Sequence, residues 1–150
     1  MNEMQKGFTL TELLVVVLIV SLLVGIGLPG YRDFVQRSGR TDASTALLKL
    51  QAMQEKFYLQ NGIYASNAQL AAAPPAGLGF VGSKSEHGYY NLSVVPDPAG
   101  LAVGYTANAA IAAGGKQADD SDCAAFSVDQ NGRRGANGGF DPVVVEECWR

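Results

Sequence analysis

From Phe8 to Leu28 the chain runs 21 residues with a single formal charge, Glu12, and no polar face. At 1.5 Å per residue such a helix is about 31 Å long, enough to cross a hydrocarbon core of about 30 Å. Residues 8–28 are therefore expected to form a transmembrane helix. Only Met1 to Gly7 precede it and no A-x-A site follows, so it is expected to be kept rather than removed as a signal peptide. After Pro29 the pattern changes: Tyr31, Val35, Gly39, Ala43, Ala46, Leu50, Met53 and Phe57 recur at steps of three and four, with Arg32, Gln36, Arg40, Lys49 and Lys56 opposite. This predicts an amphipathic helix over 29–61, stopped at Asn61-Gly62, and one long helix from about Thr9 to Gln60. Within it, Gly25-Ile26-Gly27-Leu28-Pro29-Gly30 carries three glycines, each costing about 1 kcal/mol, and a proline without a backbone donor. A kink or local unwinding is expected there.

Residues 62–87, with Ala71-Ala72-Ala73-Pro74-Pro75-Ala76-Gly77, keep no period and read as a connector with a short helical turn. Tyr89–Val95 and Tyr105–Ile111 alternate like strands around the turn-rich Pro96-Asp97-Pro98-Ala99-Gly100, predicting an antiparallel hairpin. A second hairpin is predicted from Ala124–Asp129 and Arg133–Ala136 around Asn131-Gly132. The tail from Asn137 is glycine-containing, then apolar at Val143-Val144-Val145. The expected class is α+β: residues 62–150 form a small head of about four antiparallel strands packed on the helix's C-terminal half.

At 150 residues and 47% hydrophobic, the chain has one domain's worth of sequence, which excludes a large multidomain enzyme. Its net charge of -3 offers no global field for a polyanion, so nucleic acid is an unlikely partner except through a local patch. Arg133 and Arg134 beside a hairpin tip, with Trp149 and Arg150, make such a patch, although two arginines on a turn are usually just solvated. Cys123 and Cys148 are an even pair with no C-x-x-C, better read as a disulfide bounding 123–148 than as a redox or zinc site. Closing that loop stabilises the head by about 3.5 kcal/mol and places it in an oxidising compartment; the alternative is two unrelated reduced thiols. His87 is the lone histidine, read as a surface loop residue, so no histidine cluster for a metal exists. Gly114-Gly115-Lys116-Gln117 lacks the spacing and hydroxyl of a phosphate loop, no G-x-S-x-G occurs, and no enzyme activity, cofactor or metal is expected. Asp119-Asp120-Ser121-Asp122 is read as a solvated acidic loop rather than a calcium site.

Glu12 costs about 2.5–3.5 kcal/mol at mid-bilayer unless compensated. Locally, Thr9-Leu10-Thr11-Glu12 fits a capping box. More specifically, Gln5-Lys6-Gly7-Phe8-Thr9-Leu10-Thr11-Glu12-Leu13-Leu14 closely resembles the processing site of type IV prepilins and related pseudopilins, with Thr11 where an aliphatic residue is commoner. The resemblance continues through Pro29 and Tyr31-Arg32-Asp33-Phe34. Phe57 to Ala65 and Cys123 to Gly132 look like stretches of minor pilins of the PilE kind.

That resemblance implies the type IV pilin fold: a long kinked N-terminal helix on a small antiparallel sheet head with a C-terminal disulfide loop. It implies removal of the leader 1–7 by prepilin peptidase between Gly7 and Phe8, and N-methylation of Phe8. It also implies an assembly role for Phe8, Glu12 and Pro29, in which the methylated Phe8 amine of one subunit neutralises Glu12 of another. The implied partners are other pilin subunits through the N-terminal helix and the assembly machinery in the inner membrane. The head would lie in the periplasm before assembly and at the cell surface in the pilus. The implied function is a minor pilin for twitching motility, adhesion or DNA uptake. The alternatives are a pseudopilin of a type II secretion system and a membrane-anchored periplasmic binding module that never polymerises.

Overall fold

The computed structural model describes residues 8–150, the side chains of 26–30 and 32–33 excepted. Its elements are α1 (Leu10–Asn61), two 3-10 turns (Asn67–Gln69 and Val81–Ser83), β1 (Tyr90–Pro96), β2 (Tyr105–Ile111), β3 (Ala125–Asp129), β4 (Arg134–Ala136) and α2 (Pro142–Trp149). Two compact units divide the chain after Val35.

In the first unit the Glu12 N–H donates to Thr9 Oγ1 at 3.3 Å and the Leu13 N–H to Thr9 O at 3.2 Å, so Thr9 caps α1. Every large apolar side chain from Leu10 to Val24 is 49–75% exposed. A helix apolar on all sides and uncovered by its own chain needs lipid or other helices as solvent. Helical backbone continues through Leu28-Pro29-Gly30, so the expected local unwinding is not present. Among the described residues no helix is long and apolar enough to cross a membrane. The block expected to span, 8–28, runs past Gly25 into side chains outside the description.

In the second unit, four strands form an antiparallel meander in the order β1-β2-β3-β4. Period-two alternation decides which face is buried. Leu92, Ala109, Phe126 and Ala136 lie opposite one another across the sheet, as do Val94, Ala107, Val128 and Arg134. Their apolar members share one core with Ala43, Ala46, Leu47, Leu50 and Phe57 of α1. The predicted helical stripe thus closes the core from Gly39 onward, whereas Tyr31 and Val35 stay exposed. Both predicted hairpins form, and the Asn131-Gly132 turn joins β3 to β4.

Buried polar groups pin the connections. Gln54 on α1 donates from Nε2 to Ala65 O at 2.9 Å and accepts from the Ala65 N–H at 2.7 Å. Its amide thereby behaves as an extra backbone unit, with both its nitrogen and its oxygen partnered. Tyr105 stacks beside Tyr64, itself stacked on Tyr58. Its hydroxyl is buried without a partner, and burial, followed by the charge of Glu55, pushes its ionisation well above the ordinary phenol range.

Arg40, expected on the polar face, is instead buried. Its Nε and Nη2 form a two-pronged pair with Asp120, at 2.7 and 2.8 Å, and Asp120 also accepts from the Cys123 N–H. The acidic loop is therefore not wholly solvated: Asp120 is 2% exposed. The hydrogen bond that Arg40 donates to Asp120 favours the charged guanidinium, against the opposing effect of burial. Beside it Gln117 donates to Gln36 O at 2.8 Å and reaches the Tyr90 hydroxyl at 3.3 Å. It lies so close to Gly39 that a Cβ there would overlap its amide.

The tail also departs from the expected irregular run, because residues 142–149 are helical. Asp141 caps α2 by accepting from the Val143 N–H, and Pro142 sits in the first turn.

Candidate functional site

Two regions carry the residues singled out from the sequence. At the N-terminal end, Gly7 lies outside the described residues. Phe8 is 80% exposed at the start of the helix, and Glu12 stands exposed in its first turn. Thr9 Oγ1 accepts from the Glu12 N–H, which is one half of the expected capping box; the return bond from the Thr9 N–H to the Glu12 carboxylate is not made among the described residues. Among the described residues the Glu12 carboxylate has no ionic partner.

The second region surrounds β4 and α2. Cys123 and Cys148 form the expected disulfide, closing a separation of 25 residues. Both are buried, which fixes the C-terminal turn of α2 against the start of β3. Trp149 then packs edge-on to Phe126 and donates its indole N–H to Gly135 O at 3.0 Å. Arg134 shares a sheet face with Val128, and its guanidinium lies over the Trp149 ring at 4.8 Å. Arg133 lies 3.9 Å over Phe140. Phe140 approaches Gly135 on the Ser127 side, so the two arginine-aromatic stacks flank the edge strand from opposite faces.

The hairpin tip is shaped by Asp129, whose Oδ1 accepts from the Asn131 and Arg133 N–H groups, both at 2.9 Å. Arg150, read with Trp149 as one platform, is instead paired to Glu146 at 2.7 Å on the surface of α2. The local cationic patch is thus Arg133 and Arg134, each held over a ring. A stacked guanidinium keeps its N–H edge free for phosphate oxygens, and a nucleobase can extend the stack. Phe140 was missed in the sequence because nothing in its spacing marks it as a neighbour of Arg133.

His87 is on the surface as expected, and its Nδ1 lies 3.1 Å from Asp42 Oδ1. Among the described residues no cluster of three or more metal-ligating side chains occurs. Asp120 is committed to Arg40 and the Cys123 N–H rather than to an ion-binding loop.

A long N-terminal helix, apolar first and then amphipathic, whose later half packs on a four-stranded meander closed by a C-terminal disulfide, defines a pilin-type fold. The comparisons narrow the class. A family model described as "Type IV minor pilin ComP, DNA uptake sequence receptor" matches residues 29–127, and one described as "Prokaryotic N-terminal methylation motif" matches residues 3–28. The chain belongs to the first of these families.

Among curated relatives, it is similar to a type IV major pilin protein PilE1 of Neisseria gonorrhoeae, 37% identical over 76 residues, 51% of this chain and 36% of that one. It is similar to a fimbrial protein of Neisseria meningitidis, 37% identical over 67 residues, 45% of this chain and 39% of that one. A type IV major pilin protein PilA of Myxococcus xanthus is 35% identical over 77 residues, 51% of this chain and 35% of that one. The aligned stretches span less than half the length of these relatives. A solved type IV pilin from Shewanella oneidensis aligns with 71% of this chain and 97% of its own, at TM-score 0.46 and 24% identity.

Proposed function

We propose that the chain is a minor subunit of a type IV pilus whose head contacts DNA through Arg133 and Arg134. The observation that carries the receptor reading is the family match across residues 29–127, which takes in the helix half that closes the core and most of the sheet; Arg133 and Arg134 lie beyond it and are assigned on the patch they form over Phe140 and Trp149. Its description is of a DNA uptake receptor, and the head supplies a local cationic patch on a chain whose net charge is -3. Nucleic acid, unlikely on charge alone, becomes the favoured partner at that one place. The role is structural and binding rather than catalytic.

The same reading gives the N-terminal region its work. Prepilin peptidase cuts between Gly7 and Phe8, Phe8 is N-methylated, and residues 8–28 hold the subunit in the inner membrane until it is assembled. Pro29 marks the junction with the head-bearing half. Glu12 is exposed and has no ionic partner among the described residues, which supports a partner supplied by a neighbouring subunit, and the methylated amine of Phe8 is the cation that fits.

The test is a mobility shift of duplex DNA with the full chain in detergent, at about 50 and 200 mM salt. Binding is expected to weaken steeply with salt, and Arg133→Ala with Arg134→Ala to lower affinity about tenfold and flatten the salt slope by about two contacts. No binding by the wild type at either salt overturns the receptor reading. Undiminished binding by the double variant overturns this assignment of the patch.

A further inference from the structure

Trp149 is the chain's single tryptophan and the last residue of α2. Three contacts fix its ring. Cys148, the residue before it, is bonded to Cys123 ahead of β3. The ring stands edge-on to Phe126 of β3 at 5.8 Å, and Phe126 stands edge-on to Tyr90 of β1 at 5.7 Å. The indole N–H donates to Gly135 O at 3.0 Å, and Gly135 is the neighbour of Arg134 on β4. The ring and the backbone that carries Arg134 therefore share one anchor.

The core does not cover the whole ring. Trp149 is half-buried, and the Arg134 guanidinium lies over it at 4.8 Å from the ring centre. Arg134 is itself exposed and has no carboxylate partner among the described residues. A free arginine side chain samples many rotamers, and gripping a phosphate freezes them. A ring that already holds the guanidinium by cation–π attraction removes part of that loss before the phosphate arrives. The two arginines differ in what holds their rings. Phe140, under Arg133, follows a tight turn in which Ala136 and Gly139 each donate to the other's carbonyl at 2.9 Å, so its place is set by the turn after β4. Trp149, under Arg134, comes from the far end of α2 and depends on that helix staying docked.

We propose that Trp149 is a positioning residue for nucleic-acid binding: its ring presents Arg134 to a phosphate, which makes α2 and its disulfide part of the binding device while Arg133 works without them. The inference rests on Arg134 contacting DNA, as proposed for the head. Trp149→Phe and Trp149→Leu separate this role from plain packing. Both replace the indole by a smaller apolar side chain and both lose its N–H, but only phenylalanine offers a ring face to the guanidinium. A residue that merely docks α2 on the sheet gains nothing from that face.

The full chain in detergent is titrated with duplex DNA at about 50 mM salt, and protection of the Ala107 amide of β2 checks that each variant is folded. Trp149→Leu is expected to bind about threefold more weakly than Trp149→Phe. In an Arg134→Ala background the two are expected to bind alike, because the ring then has no guanidinium to hold, whereas in an Arg133→Ala background the difference is expected to remain. Leucine binding as well as phenylalanine, or a difference that survives Arg134→Ala, overturns the positioning role while leaving DNA contact intact. A wild type that binds no DNA overturns the receptor reading itself, and this inference with it. The stack is also read without DNA, since all tryptophan emission comes from Trp149. Emission is expected to move to longer wavelength in Arg134→Ala and to hold its place in Arg133→Ala; an Arg134→Ala variant that emits like the wild type overturns the stack.

Discussion

Arg40 and Asp120 stand 80 positions apart in sequence, and neither signals its partner. On a helical wheel Arg40 belongs with the polar residues, and Asp120 sits in what looks like a hydrated acidic run. Their burial follows from tertiary geometry alone: Gly39 leaves room for Gln117, which lets the loop descend onto α1 and carries Asp120 down with it. Removing one charge strands the other, so Asp120→Ala is expected to destabilise the head by about 3–5 kcal/mol. Replacing both, with Arg40→Met and Asp120→Leu, is expected to cost much less, since no uncompensated ion remains. Denaturant melts of the full-length variants check this; a double variant no more stable than Asp120→Ala would sink the account. His87 was legible only as exposed, because its tie to Asp42 also depends on a fold that brings the connector back to the helix.

At the scale of elements, the strands were readable because each obeys a local rule. Alternation marks β1 and β2, and Asn131-Gly132 fixes the β3–β4 turn, all within a few residues of one another. Helix α2 was missed for an equally physical reason. Three successive valines have low helix propensity, and eight residues are too few to hold a helix in water. Its start was written in Asp141-Pro142, a cap followed by a first-turn proline, but its persistence comes from the Cys123–Cys148 bridge and the docking of Trp149 on Phe126. Cys123→Ala with Cys148→Ala is therefore expected to cost about 3 kcal/mol and to release α2 before the sheet. Residue-resolved exchange checks the order: α2 amides as protected as those of β2 in that variant would count against it.

For the whole molecule, the leading apolar helix and the head obey different solvents. The head buries its own core, whereas Leu10–Val24 leaves its apolar surface open and carries one carboxylate. If Glu12 pairs with the amine of a neighbouring Phe8, Glu12→Val is expected to stay in the membrane fraction and fall several-fold in sheared filaments. In the same filaments, mass spectrometry of the wild type should find a methylated Phe8 at the amino end. An intact Met1 confined to membranes would overturn assembly, and Glu12→Val incorporated like the wild type would overturn the pairing.

The nearest-neighbour order of the sheet has a consequence for how the head reaches its structure. Each strand bonds only to the strand before or after it in the chain, so the sheet can grow one hairpin at a time by closing short loops. The disulfide joins the start of β3 to the end of α2, near the two limits of the last hairpin's surroundings. The hairpin that lies between its cysteines in the chain brings them together, so the bond is placed to hold a completed β3–β4 turn closed.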